Sequence, residues 1–457
     1  MALQGFGKAP RFSFSVVYVD DNTAKVNTGF YAGTILSSSV LGPAVAFLLG
    51  GVFSRMYVTL EATQLTPRHP NWIGAWWLGY IVFGVASLVV AVPLFCFPRK
   101  LPRKNVKDTH NLQIPAPLLH LLQVMVPVFL EFLASLYRLL VNPLYVFLLI
   151  SAVSIIFTAA GNMSFFSKYL ERMFHLPVHV ANYTTSGVVL CTSCFGTFIG
   201  GFLSSRMKMT AKTCLKFLLV MTALCFAFQI MVFIFHCEQP TVHNRPGEEN
   251  VCNRGCNCRD NSYFPICGDD GRTYYSPCHA GCLQAEHGIY QNCSCVAGGR
   301  ASGGTCYYSC SHLYGYVVAA GMRNLFMFLG VMPKFVVFIR CVPERDRSMA
   351  LAVLPLIAAI FGWMLAPIVF GNAIDQACLI WDINCLTRGR CLLYDNNQFR
   401  VTFNGYGALG AAGSLVFVVI AYLYARWSRC LEEGVQTVIA HEVEEIKFVV
   451  KDSTVNI

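Results

Sequence analysis

An all-α polytopic membrane protein with a small disulfide-rich extracellular domain is the fold class that three features of this sequence predict. Hydrophobic residues make up 55% of the 457 and charged residues only 13%, with a mean hydropathy of +0.52, too apolar for an ordinary soluble enzyme. Apolar runs recur along the chain at the length of about 20 residues that crosses a bilayer core. Eleven of the 21 cysteines crowd into the polar, turn-rich stretch from Cys237 to Cys310, a density that forms stable disulfides only in an oxidising space. The net charge of +10 does not point to a nucleic-acid partner, because the basic residues fall in short clusters at the ends of apolar runs, as orientation by the positive-inside rule requires.

The first twenty-odd residues are too polar to span, and Met1 to Asp21 lacks the basic start and apolar core of a cleavable signal peptide. The first span is expected from Phe30 to Phe53 and the second from Trp72 to Phe97, opening with Trp72, Ile73, Gly74, Ala75, Trp76 and Trp77, whose three indoles suit a membrane interface. Arg99, Lys100, Arg103, Lys104 and Lys107 follow and mark a cytoplasmic end. The stretch from Pro117 to Leu140 carries His120, Glu131 and Arg138; counting it as a span would put the cysteine-rich loop in the cytosol, so it is read as an interfacial helix on the inner face. Further spans are expected at about Leu144 to Phe165, Thr184 to Leu203 with its Gly196-x-x-x-Gly200 contact motif, and Cys214 to Phe235. After the cysteine-rich loop come spans at about Leu313 to Ile339, Met349 to Phe370 and Gly405 to Tyr424. Basic turns then alternate with cysteine-bearing loops, which places the loop from Cys237 outside and the C-terminus in the cytoplasm.

Fourteen cysteines fall on the outer side by this count: Cys237, Cys252, Cys256, Cys258, Cys267, Cys278, Cys282, Cys293, Cys295, Cys306 and Cys310 in the large loop, and Cys378, Cys385 and Cys391 in the last one. Eleven is odd, so complete pairing requires at least one bridge between the two loops. Asn292-Cys293-Ser294 is a glycosylation candidate in the large loop. The chain ends in Val455-Asn456-Ile457, which matches the form of a cytoplasmic PDZ ligand.

Tyr263 to Tyr274, with Cys278 and Cys282, resembles the core of a Kazal domain. In Kazal inhibitors the strand ahead of that core presents the protease-binding bond; here it is Arg259 to Ser262, where Asp260 and a spacing about one residue longer depart from the inhibitor pattern. A Kazal-like loop between spans, together with the tryptophan stretch Trp72 to Gly79 and Arg340-Cys341-Val342-Pro343-Glu344, resembles the organic anion transporting polypeptide family of solute carriers. That resemblance covers nearly all of residues 1–430 and implies a major-facilitator-type bundle of twelve spans. The eight spans here match the fifth through twelfth, so the chain is expected to be a fragment, a partial gene model or a truncated isoform of a longer carrier. The expected division is 1–98, two spans of the N-terminal half; 99–142, a cytoplasmic linker with its interfacial helix; 143–236, spans seven to nine; 237–312, the Kazal-like loop; 313–430, spans ten to twelve; and 431–457, a cytoplasmic tail.

The function implied is sodium-independent secondary transport of large amphipathic organic anions or steroid-like solutes across the plasma membrane, with no cofactor, catalytic residue or metal. The alternative of another class is a membrane-tethered Kazal module that binds an extracellular protease or other protein. Charged groups inside a span are costly and default to functional candidates. Arg323, ten residues into its span, is the first choice for an anion-facing group. Lys168 matches a basic family position near an outer helix end, where Glu171 offers a competing surface pair, whereas Lys334 is expected to snorkel. Trp363 and Phe361 are candidate apolar walls of the substrate path.

Overall fold

The computed structural model describes residues 28–61, 72–95 and 118–428, apart from positions 208, 240, 247–250, 254–255, 257, 259–262, 287, 307–309 and 385–386. Among the described residues nine long helices carry the architecture. They are α1 (Thr28–Ser54), α2 (Trp76–Phe95), α3 (Leu118–Val141), α4 (Pro143–Met173), α5 (Val178–Arg206), α6 (Ala211–Met231), α7 (His312–Arg340), α8 (Arg347–Gln376) and α9 (Asn396–Ser428). Seven of them are long and apolar enough to cross a membrane over the described residues, and α1 contributes a shorter apolar stretch, Leu41–Ser54. Each expected span therefore coincides with a helix, and the chain is a multi-pass membrane protein. The helices overrun the hydropathy limits because polar caps, not apolar composition, end them. Asn142 accepts from the Tyr145 amide and starts α4, and Asp395 accepts from the amides of Asn397 and Gln398 and starts α9.

Around α4 the helices pack closely. Its largest contact is with α9, and α6, α7 and α8 complete the bundle. One cluster joins Tyr145, Leu148, Leu215, Leu218, Phe338 and Val418 at one end, and a second joins Phe166, Tyr169, Tyr316, Phe370, Phe399 and Phe403 at the other. Glycines permit this closeness: a Cβ at Gly161 would lie 2.4 Å from the Phe370 ring. Two helices change pitch inside the bundle, α5 through a π-helical turn at Leu190–Cys194 and α8 through another at Ala359–Met364.

At the end of the bundle where α7 turns into α8, α3 is tied down by polar contacts. Arg138 donates to both carboxylate oxygens of Asp346, at 3.0 and 2.7 Å, Arg345 pairs with Glu131 at 2.7 Å, and Asn142 donates to the Cys341 carbonyl. The hydrogen bond from Arg138 holds the buried Asp346 carboxyl down at a pKa of about 2. A depressed carboxylate pKa adds stability above the unfolded value of 3.8 that is lost as the pH falls toward about 2. Asp346→Asn is therefore expected to lower the melting midpoint of the purified chain near neutral pH, and the gap from the parent chain should close across that window in melts run at stepped pH.

Between α6 and α7 lies the disulfide-rich domain. It is a six-stranded sheet in the order β1-β3-β2-β6-β5-β4, with β1 Val242–His243, β2 Ile266–Gly268, β3 Thr273–Tyr274, β4 Gln284–Glu286, β5 Ile289–Gln291 and β6 Arg300–Gly303. Its core is small, centred on Ile266, Tyr274, Ala280 and Ala301, so bridges supply what burial cannot. Cys252–Cys295, Cys258–Cys278, Cys267–Cys306 and Cys282–Cys293 staple it, and Cys237–Cys310 closes its base. The last cysteine-bearing loop is a hairpin of β7 (Cys378–Asn384) and β8 (Thr387–Tyr394) joined by Cys378–Cys391.

The described bridges leave the parity argument open: ten cysteines of the large loop pair among themselves and Cys378 pairs with Cys391, so one cysteine is left over in each loop, Cys256 and Cys385. The hairpin brings Cys378 and Cys391 face to face, and in the larger loop Cys256 has no disulfide partner among the described residues. Cys385 lies outside the described residues, as do the basic cluster Arg99 to Lys107, the segment Arg259 to Ser262 and the C-terminal tripeptide.

Candidate functional site

The bundle interior is built around two cations on α7. Arg323 is 3% exposed. Its Nη1 donates to Asn162 Oδ1 on α4 at 3.2 Å and to Gln229 Oε1 on α6 at 3.0 Å, and its Nη2 donates to Asn324 Oδ1 at 3.3 Å. Those amides are themselves held. Asn162 Nδ2 donates to the Thr158 carbonyl, Gln229 Nε2 donates to the Asn404 carbonyl on α9, and Asn404 Nδ2 donates to the Tyr169 hydroxyl. A guanidinium thus sits in a shell of neutral acceptors contributed by its own helix and its neighbours, and among the described residues no carboxylate pairs with it.

Lys334 lies eleven residues further along α7, about 16 Å at the helical rise. It does not snorkel as expected. Its Nζ donates to Ser151 Oγ on α4 at 3.2 Å, and Ser151, fully buried, also shares a hydrogen bond with Ser414 on α9. Ser151, on a facing helix, supplies the acceptor that holds the ammonium inside. Here too no acidic partner is present among the described residues. Two positive charges therefore face the interior of the α4, α6, α7 and α9 group, and a desolvated cation without a counter-ion favours an anion nearby.

The other sequence candidates lie apart from this pair. Lys168 sits at the far end of α4 with its Nζ 5.1 Å from the centre of the Tyr394 ring, and Arg172 lies 5.6 Å from the same ring. Glu171 pairs with Arg172 and not with Lys168. Phe361 and Trp363 flank Gly362 in the π-helical turn of α8. Gly362 is buried, a Cβ there meeting Ile156 of α4 at 2.7 Å, so the two aromatics point away from α4 and are 52% and 53% exposed.

The tryptophan signature also makes specific contacts within the chain. Trp72 Nε1 donates to the Ser54 carbonyl and Trp77 Nε1 to the Val58 carbonyl, both at 3.0 Å, satisfying acceptors at and just beyond the end of α1. Gly74 bridges to Tyr57, and a Cβ there would stand 2.9 Å from Ser54 Cα; Ala75 is fully buried. Only Ile73 and Trp76 project outward, 51% and 68% exposed. The signature pins the turn between α1 and α2.

Sequence reasoning missed Asn162, Gln229, Asn404 and Ser151. Their signal was present: amides and hydroxyls within apolar runs need partners in a bilayer, and each found one on a facing helix.

Comparison with known proteins bears on what such an interior serves. The Organic Anion Transporter Polypeptide (OATP) family matches residues 1–399. Solute carrier organic anion transporter family member 4C1 of Rattus norvegicus and of Homo sapiens are each 30% identical over 430 residues, covering 86% of this chain and 59% of their own length. Member 1C1 of Mus musculus is 29% identical over 471 residues, covering 92% of this chain and 65% of its own length. The chain thus spans about three fifths of the length of the curated relatives it matches. Among solved structures, an inward-facing bacterial homologue of the human lysosomal transporter Spinster matches at 16% identity and a TM-score of 0.46, covering 92% of this chain and 74% of its own. With its family match across most of the sequence, a helical bundle and a disulfide-rich domain between spans, the chain belongs to the Organic Anion Transporter Polypeptide family.

Proposed function

We propose that this chain forms part of a secondary carrier of large amphipathic organic anions, with a major-facilitator-type bundle, acting at the plasma membrane without sodium coupling. The observation that carries the reading is the pair of inward cations, Arg323 and Lys334, held by neutral groups and without a carboxylate partner among the described residues. An interior left positive attracts the anionic head of a substrate. The names of the relatives, organic anion transporters, support the same class.

Purified chain in lipid nanodiscs is expected to bind a labelled steroid sulfate saturably, to prefer it over the parent uncharged steroid, and to do so unchanged when choline replaces sodium. Absence of saturable binding, or equal affinity for the uncharged steroid, overturns the reading. The proposed sidedness puts the Kazal-like domain outside and the C-terminus inside. Tags near residues 300 and 104 are expected to report opposite faces of intact cells, and the same face for both rejects that orientation.

A further inference from the structure

The chain leaves α6 through Phe233, Ile234, Phe235 and His236, and there it meets the start of α9. Arg400 makes the junction. Its Nη1 donates to the Phe233 carbonyl at 3.2 Å and to His236 Nδ1 at 3.0 Å, and its Nη2 donates to Asn397 Oδ1 on its own helix at 2.9 Å. A guanidinium has donors and no acceptor, so the contact at 3.0 Å exists only while His236 Nδ1 carries a lone pair. The same nitrogen lies 3.1 Å from the Ile234 carbonyl, an acceptor that it serves only when it carries a proton. One ring nitrogen thus has two partners that exclude each other, and its protonation state chooses between them.

The neighbouring histidine behaves differently. His312, at the start of α7, has its ring centre 6.3 Å from that of His236, and its Nδ1 donates to the His236 carbonyl at 2.9 Å. That bond needs a proton on Nδ1, which the imidazolium also carries, so acid does not break it. The Cys237–Cys310 bridge ties the same two stretches of chain covalently. The α6 exit is therefore fastened to α7 regardless of pH, whereas its fastening to α9 through Arg400 depends on a neutral His236. The other charged groups on this seam are Glu238, which lines a cavity of about 190 Å³ together with His236 and Arg400, and Asp395, whose carboxylate is spent on the amides of Asn397 and Gln398. From α4 the cavity receives Met173, which carries no charge. Among the described residues no carboxylate lies within ion-pair distance of His236 or Arg400.

We propose that His236 and Arg400 form an acid-released clasp between α6 and α9. While His236 is neutral, Arg400 holds the α6 exit to the head of α9. His236 is exposed, so protons reach it. Protonation places N–H on Nδ1, which serves the Ile234 carbonyl, and sets an imidazolium beside a guanidinium. The Arg400 head then withdraws from the α6 exit, and water in the cavity takes over as its acceptor. Gln239 accepts from the Asn396 amide and donates to the Tyr394 carbonyl, so the head of α9 loosens without leaving the bundle. Imidazole changes charge between about pH 5 and pH 8, which sets the range in which the clasp opens. The loosened turn leads to Asn404, whose side-chain amide donates to the Arg400 carbonyl.

Hydrogen exchange of the purified full chain in lipid nanodiscs tests the clasp, read by mass spectrometry at about pH 7.5 and about pH 5.5 and corrected for the pH dependence of intrinsic amide exchange. Protection over residues 396–404 is expected to fall about tenfold at the lower pH, the worth of one hydrogen bond to a charged group. The start of α7 should keep its protection. His236→Gln supplies an amide oxygen that accepts from Arg400 at either pH, so protection should stay high at both. His236→Leu removes the acceptor, and protection should be low at both. His312→Gln should leave the pH response as it is in the parent chain. Equal protection of the parent at the two pH values, or a pH response that survives in His236→Gln, overturns the proposal. No transported solute enters the experiment, so its failure leaves the carrier reading untouched.

Discussion

Gly200→Leu is expected to prevent the purified chain from running as a single folded species, or to lower its melting midpoint by about 5–10 °C, as a packing loss of several kcal/mol would do. A Cβ at this position would stand 2.5 Å from the Leu329 carbonyl oxygen and 3.2 Å from two of that residue's backbone carbons. Backbone cannot rotate aside as a side chain can. Leu329 also ends the first segment of α7, just before the join at Gly330, so displacing it disturbs the helix that carries Arg323 and Lys334. One turn earlier, a Cβ at Gly196 would meet Phe328 Cβ at 2.8 Å and the Leu325 carbonyl oxygen at 3.1 Å. The two glycines thus form a single groove for α7. Gly201→Ala is the control: its Cβ would touch only Met332 Cγ at 3.4 Å, a flexible contact, and melting should barely change. If Gly200→Leu melts with the parent chain in a thermal scan of the two proteins side by side, the close α5–α7 approach is wrong.

That groove shows what the sequence made legible. Small residues four apart in an apolar run announce a close helix contact whatever the partner, and the runs themselves announce helices, because length and apolarity are the two requirements of a membrane-crossing helix. The direction each helix face takes was not legible. In a bilayer the outside of the bundle is as apolar as its core, so no polar stripe separates the two faces. Lys334 illustrates the consequence: its distance from the helix end suggested snorkelling, yet Ser151 and Ser414 on two other helices decide where the ammonium goes. Trp72 and Trp77 were likewise readable as interfacial indoles, and only the fold reveals carbonyls of Ser54 and Val58 within their reach. The hairpin at Cys378–Tyr394 had a local signal in the β-branched and aromatic run Ile380-Trp381-Asp382-Ile383, obscured by the expectation of a loop. Cysteine counting could set parity but not partners, since pairing depends on which thiols the strands bring together.

Arg323→Met is expected to weaken binding of a steroid sulfate by at least about tenfold while shifting the melting midpoint by only a few degrees. The two effects separate because the charge and the packing of this side chain do different things. Methionine keeps most of the volume of the arginine stem, so little cavity opens between α4, α6 and α7. The change leaves Asn162 Oδ1 and Gln229 Oε1 without their donor, which costs about 1–3 kcal/mol each at most. Against that, it removes a cation held out of water with no counter-ion among the described residues, a penalty of several kcal/mol in a folded protein. The sum for folding lies near zero. For an anion in the interior there is no such offset: the variant loses one of two positive charges, and Lys334, about 16 Å further along the helix, cannot replace it. Arg323→Lys keeps the charge but has no second terminal nitrogen to donate to Asn324 while the first serves Asn162 and Gln229, so an intermediate loss of about threefold is expected. The affinity for the uncharged parent steroid should stay within about twofold in every variant, since burial of its rings does not depend on the cation. Equilibrium binding of the charged and uncharged steroids to the three proteins, beside their melting curves, checks all of this at once. A methionine variant that melts far below the parent and loses both ligands equally makes Arg323 a structural residue. One that binds the sulfate as tightly as the parent removes it from the anion path.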